Sequence, residues 1–509
     1  MNKSLVRYIS IGLFCVSASI NAQRLRADKI FEIAEELTPK AISNLKDFVA
    51  IPNDSKVEGQ LEQNLNYSKN LLEALEFSTQ TLTTDGVPVL LASKMVATDL
   101  PTVLFYLQID GQPINKSKWD QEDPYQLTLK ERHADGTWNT LPFENSSDPS
   151  KDWRLFGRSV SDSKGPSTAL LTALEYYHSK KWKTAFNLKL LLDFQEEMGS
   201  PTLEKAVSEN KGAFDADYLI IMDGTRDVSN KPTVTFGARG IITAQLIVYG
   251  PKEPLHSGQY GNYAPNPVFK ASRLIASMKD EIGMVLIEDF YKGIQLNDLV
   301  RAELANASMD PIELNERLGI AIEEMVSNSY QGSLQYPSLN IRGMQAAWTG
   351  DQVRTIIPDK VVVEIDMRTV KESRPEALIE ALKNHIVKQG FELLDTEPTD
   401  EERSIFENIA SLTYKIGSKP FRTAFSSPIR TLMDDTLQPL FGDQYVLTRT
   451  TGGSQPIAPF INTLGIDAVS LRIPNPDNNI HAPNENLRIG NLTEGIASIL
   501  SLLQTPIQN

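Results

Sequence analysis

The chain has 509 residues, about three times the ~150-residue soft prior for one domain, so two domains or one large domain carrying an insertion are expected. Hydrophobic residues make up 41% and charged residues 23%, close to globular averages, which excludes a largely disordered or collagen-like chain. The net charge of −15 comes from 50 Lys+Arg against 65 Asp+Glu; it argues against sequence-independent phosphate binding, which needs clustered cations, so no nucleic-acid partner is expected. Cys15 is the single cysteine, which excludes a disulfide framework or a Cys-ligated zinc finger within the chain. Any metal site must use His, Asp, Glu, amide or water ligands.

In chain order, residues 1–22 read as an export signal. Lys3 and Arg7 form a short basic region, Ile9 to Ala18 are apolar, and Ile20-Asn21-Ala22 before Gln23 fits a cleavage site. The apolar run is short for a membrane span. No later segment reaches the ~18 consecutive apolar residues of one, so the mature protein is expected to be periplasmic or secreted with no membrane span.

Residues 27–50 have helical apolar spacing. Strands are expected at 101–107, at Asn187–Phe194 and at Tyr218–Met222, with a helix over Thr168–His178. The polar stretch 119–149 reads as a long loop or hairpin. Strands alternating with helices indicate an α/β domain with a mainly parallel sheet. The character then changes. Ile241–Tyr249, Leu339–Trp348 and Lys360–Arg368 read as strands, Pro267–Lys279 and Pro375–Lys388 as helices, with a short strand near Phe391. This β-α-β-β-α-β order is a two-layer α+β unit, interrupted by a mostly helical insertion at about 284–336. The α/β character returns after about 398, with a strand at Ala468–Ile473 and a closing helix within Leu487–Leu503. The resulting division is 23–236 for the first catalytic part, 237–398 for an inserted domain, and 399–509 for the second catalytic part.

The chemistry gathers just past predicted strands, where open α/β sheets place their functional groups. Gln108-Ile-Asp110 follows the strand ending at Leu107. Asp162 lies in the turn Gly157-Arg-Ser-Val-Ser-Asp-Ser-Lys-Gly165 before a helix. Glu196-Glu197 and Asp223 follow apolar strands, and His481 lies in Asn-Asn-Ile-His-Ala-Pro-Asn-Glu485. Taken singly, each reads as a solvated pair, a turn or cap residue, or a surface histidine. Together, three acids and one histidine at strand ends form a set suited to zinc or manganese. Glu196 is then a spare carboxylate placed to deprotonate water. His133, His178 and His385 fall in polar or helix-surface contexts and are expected at the surface.

With these blocks in this order, the chain resembles the zinc-dependent exopeptidase family of carnosinase-type dipeptidases, aminoacylase and glutamate carboxypeptidase. The resemblance runs from about residue 27 to 503, and Asp-Gly-Gln-Pro at 110–113 with Trp119 is most similar to the dipeptidase branch. It implies a mainly parallel-sheet catalytic domain with an inserted two-layer α+β lid that forms a homodimer. It implies that Asp162 bridges two metal ions, that Glu197 and His481 complete one site, and that Asp223 and a histidine at position 108 complete the other. Glu196 is then the general base and proton shuttle, and Asp110 orients the ligand at 108. His256, in Pro-Leu-His-Ser-Gly258, matches the oxyanion-stabilising histidine, which in dimeric members reaches the neighbouring subunit's site. Arg368, with Gly453 and Ser454 of the Gly452-Gly-Ser loop, matches groups that hold the substrate's carboxylate.

The chain departs from that pattern at position 108, which is Gln. An amide oxygen is a harder and weaker donor for zinc than imidazole nitrogen. The expectation is one tightly held zinc ion, with the second weak or replaced by manganese or cobalt. Gln455, where an aliphatic residue is common in the family, is a second departure. The reading is an exported metal-dependent exopeptidase for dipeptides or short peptides. Deacylation of N-acyl amino acids on the same site, and a catalytically disabled peptide- or amino-acid-binding protein, are the alternatives.

Overall fold

The computed structural model describes residues 24–508 apart from 85 and 307–309. The export signal at 1–22 and Cys15 lie outside the described residues. An eight-stranded sheet forms the larger unit. Its middle strands Asn187–Asp193, Thr102–Gln108, Tyr218–Ile221 and Asp467–Arg472 lie side by side and parallel. Antiparallel Val89–Lys94 and Ser78–Leu82 extend one edge, and Thr233–Thr235 and Val446–Thr448 extend the other.

The two-residue period of a strand sets which side chains face each way. Val103, Phe105 and Leu107 join the larger core, whereas Leu104 and Tyr106 join a second core on the opposite face. Helix Ala27–Val49 packs on the first face with Ile30, Ile33, Ala34, Ala41, Ile42, Leu45 and Phe48 buried, the spacing of one helical stripe. Helices Lys164–Lys180 and Ile489–Gln504 pack with it. Both faces of the sheet are covered, so its middle strands are continuously apolar.

The second unit is a five-stranded sheet in the order Ser338–Gln345, Lys360–Thr369, Gly240–Tyr249, Ile409–Ile416, Glu392–Leu394. Helices Pro267–Ala276 and Pro375–Lys388 cover one face. Gly240–Tyr249 alternates buried and half-buried along most of its length because the other face is not packed in this way. Ile409–Ile416, beyond the expected boundary at 398, pairs over its whole length with Gly240–Tyr249, so this sheet draws on residues to 416. Gly237–Ala238 pairs with Phe421–Arg422 where the chain crosses between the units. The insertion carries the short helices Asp298–Asn306, Pro311–Leu318 and Tyr330–Ser333. The polar stretch after Trp119 holds the expected hairpin, Thr128–Arg132 with Trp138–Thr140, inside a four-stranded sheet that also takes Arg154–Phe156 and Asn486–Arg488. His385 is not at the surface: it is buried, and its Nε2 lies 2.8 Å from Ser277 Oγ.

Candidate metal centre

The parallel strands Thr102–Gln108, Asn187–Asp193 and Tyr218–Ile221 end together, and this edge carries Gln108, Asp110, Glu196, Glu197 and Asp223. Asp162 arrives from the turn before helix Lys164–Lys180. That turn is tight because Gly165 lies against the Val160 carbonyl and Leu487, where any side chain would overlap both. Lys164 anchors it from below, donating to the carbonyls of Phe48 and Ile51 at 2.7 Å each. Its full burial pushes its amine well below the usual lysine range.

Glu485 fixes the turn from the other side. Its fully buried carboxylate accepts the N–H groups of Ser159, Ser161 and Asp162 at 2.9 Å, the Ser161 hydroxyl at 2.9 Å and the Arg158 guanidinium at 2.8 Å. Burial pushes this carboxyl up. Every neighbour is a donor, however, so the ionised form is the one the surroundings fit. Asp110 does the same for the glutamate pair, accepting the N–H of Glu196 at 3.0 Å and of Glu197 at 3.2 Å.

These supports bring Asp162, Glu197 and His481 together. One donor atom from each lies within 4.8 Å of the others. His481 Nε2 is 2.9 Å from Asp162 Oδ2 and 3.3 Å from Glu197 Oε2. His481 has φ 60°, a left-handed backbone uncommon for residues with a Cβ and typical of functional turns. Asp223 joins through Ser163, whose Oγ lies 3.0 Å from Asp223 Oδ1 and 3.2 Å from Asp162 Oδ1.

So many buried carboxyls cannot all be charged without a cation. Burial and then Asp162 push Glu197 up to about 8, and burial and then Asp162 push Asp223 up to about 6. Glu196 is driven well above the carboxylate range by burial, Asp223 and Asp162. His481 rises to about 9, chiefly through its hydrogen bond with Asp162. Protons are holding groups that a divalent ion would hold. The nitrogen-and-carboxylate set of Asp162, Glu197 and His481 fits zinc. The set of Asp162, Asp223 and Gln108 does not fit a second zinc. Gln108 is buried with both amide atoms unpartnered, and it offers only a neutral oxygen.

The expected substrate-binding residues are partly joined. Arg368 ends near Ser454 and donates to its Oγ at 2.8 Å across the two units. Gly453 has open space around it, and the carbonyl used in this loop is that of Gly452, which accepts from Arg239 Nε at 3.2 Å. His256 is not brought to the centre within one chain. It is exposed in a two-residue strand of the lid, and its Nδ1 accepts the Gly258 N–H at 3.1 Å.

Sequence reasoning assigned no role to several residues that shape the site. Gln112 donates to Glu197 Oε2 at 2.6 Å. Glu485 was visible only as an acid in the His481 loop. Arg239 gave no signal beyond its flanking small residues; burial and the neighbouring Arg368 lower its guanidinium to about 10. Arg472, in an apolar strand, gave no signal either, yet it is the charge that favours ionised Asp223.

A cluster of acids and one imidazole at the carboxyl edge of an open sheet defines a metal-dependent hydrolase. The chain belongs to peptidase family M20/M25/M40, whose model matches residues 104–505, and is a metallopeptidase by class. It is similar to the Cys-Gly metallodipeptidase of Candida albicans, 26% identical over 507 residues, covering 95% of this chain and 98% of that protein. It is also similar to the mouse Beta-Ala-His dipeptidase, 25% identical over 493 residues, covering 92% and 93%. Its fold is that of an M20 family metallo-carboxypeptidase from Sulfolobus solfataricus, with TM-score 0.71, 26% identity, and 92% and 99% of the two chains covered. Human carnosine dipeptidase 1 shares the fold with TM-score 0.70, 22% identity, and 94% and 98% covered.

Proposed function

We propose that this metallopeptidase is an exopeptidase for dipeptides or short peptides, exported on the strength of its N-terminal sequence. The observation that carries the reading is the convergence of Asp162, Glu197 and His481 within 4.8 Å, with Glu196 beside them. Asp162, Glu197 and His481 would hold a zinc ion, which would supply Lewis acidity and a more acidic water there. Glu196 takes the proton of the attacking water and returns it to the leaving amine. Asp110 keeps Glu196 and Glu197 in place through their backbones. Arg368 with Ser454 receives the substrate's free carboxylate, and Arg239 adds a second cation nearby.

His256 serves as the oxyanion donor of a neighbouring copy's site. Its exposure on the lid supports this, as do the exposed Tyr263 and Phe269 a few residues on, at 87% and 67% exposure, since apolar side chains of this size seek cover. A homodimer through the lid follows. An N-acyl amino acid presents the same carboxylate to Arg368, so that class is the comparison arm of the test. The full-length mature protein is stripped of metal, reloaded with zinc, manganese or cobalt, and assayed on dipeptides and N-acyl amino acids. Metal-restored cleavage of dipeptides is expected. Cleavage confined to N-acyl substrates would reassign it as a deacylase, and silence with every metal in folded protein would refute an enzymatic role.

A further inference from the structure

The Asp223 side of the centre contains a cation of the chain's own. Arg472 ends strand Asp467–Arg472, which runs parallel to Tyr218–Ile221 with Ser470 opposite Ile221. Two residues further in each strand, Arg472 comes level with Asp223. Its side chain is buried at 8% exposure, and its Nε has no hydrogen-bond partner. The guanidinium lies over Gly224, where any Cβ would overlap Nη1 and Cζ, and Gly224 has φ 88°, so the chain leaves that space for the arginine. Burial lowers the guanidinium below the usual arginine range, and Asp223 is the acid whose charge opposes that shift.

The neighbouring strand ends in Gln108, with its amide oxygen and nitrogen both buried and unpartnered. No other histidine replaces it. The chain has five. His178 faces Glu76 and His385 faces Ser277. His256 is on the lid, His133 sits exposed in a hairpin turn, and His481 belongs to the first cluster.

We propose that Arg472 stands in for the second metal ion that the fold family implies: the centre binds one divalent ion, at Asp162, Glu197 and His481, and the Arg472 guanidinium supplies the remaining positive charge beside Asp223. A guanidinium stays charged at every physiological pH. It repels a second divalent ion through a low-dielectric interior and occupies Asp223 electrostatically. Gln108 ends the strand on the other side of Tyr218–Ile221 and offers a second ion nothing stronger than an unpartnered neutral amide. Chelation then removes only the ion at His481, and the Asp223 half keeps its charge balance.

The inference rests on the metal-dependent reading above, and the test separates the two. Metal-stripped full-length protein is titrated with zinc by calorimetry, and bound zinc is counted by elemental analysis after dialysis. Wild-type protein is expected to hold about one ion per chain. Gln108→His alone is expected to stay at about one, because Arg472 remains, whereas Gln108→His with Arg472→Leu gains a second. Two ions of comparable affinity on the wild-type protein, or a second ion gained by Gln108→His alone, would overturn the inference while leaving the hydrolase reading intact. No ion on folded wild-type protein would overturn both. The wild-type and single-variant counts decide the matter even if the double variant, checked by circular dichroism, fails to fold.

Discussion

Glu485 Oε1 accepts the backbone N–H of Asp162 at 2.9 Å, so an acid that touches no substrate fixes the position of one that faces the metal. The same carboxylate pairs with the guanidinium of Arg158, and both side chains are almost fully buried. Glu485→Gln leaves that charge unpaired and turns an N–H₂ group toward donors. The expected loss is about 3–5 kcal/mol of stability, the usual cost of breaking a buried pair, measured by chemical denaturation. Zinc affinity should fall with it, because the turn that presents Asp162 loses its template.

Protonation of the metal-free centre predicts a pH-dependent response to metal. Glu197, Asp223 and His481 have pKa values raised to about 8, 6 and 9. Each raised pKa favours the metal-free fold at low pH. That contribution is complete below the unfolded value and is lost as pH rises through the folded one. The metal-free protein should therefore lose stability between about pH 4 and 9. Zinc must displace these protons, so it should raise the melting temperature more at pH 8 than at pH 6 and release protons on binding. Melting curves at the two pH values and calorimetry in buffers of different ionisation enthalpy check this; an equal shift at both pH values would contradict it.

Arg368 donates to Ser454 across the gap between the two units. Arg368→Ala should raise KM for substrates with a free terminal carboxylate about 10- to 100-fold, corresponding to about 1.4–2.8 kcal/mol. A C-terminal amide substrate should be affected much less. Equal loss on both substrates would mean that Arg368 acts through the fold.

The proposed service of His256 to a neighbouring copy's site is tested by subunit complementation with a Glu196 variant. His256→Ala and Glu196→Gln should each be nearly inactive alone. Mixed after dissociation and reassembly, they should regain activity, because one site in a mixed dimer has an intact Glu196 and an intact histidine from the partner. No recovery in demonstrated mixed dimers would place His256 outside the reaction.

What the sequence made legible was local. Helix Ala27–Val49 announces itself by a regular apolar stripe, and the strand before Gln108 by an unbroken apolar run. Glu196, Glu197 and Asp223 each follow a parallel strand and so gather at one sheet edge; Asp162 and His481 come from a turn and a loop, and only the family resemblance pointed to their meeting Glu197. Strand Ile409–Ile416 was hidden because only its first residues are buried and the rest carry exposed polar groups. Arg472 was invisible because one cation in an apolar strand has no local signature; its meaning depends on Asp223, which lies some 250 positions earlier and becomes its neighbour only through strand pairing. His385 looked like a surface helix residue, but it is buried and meets half-buried Ser277 at the end of another helix.

The central claim is that Glu196 performs acid–base chemistry on water at a metal held by other residues. Glu196→Gln tests it most directly, with turnover of a cleaved dipeptide and zinc content measured on the same preparation. Turnover should fall about 10²- to 10⁴-fold, with zinc content, KM and melting temperature close to wild type. A variant that keeps its turnover, or loses it only by losing zinc, would contradict the assignment of Glu196 as the proton-transferring group.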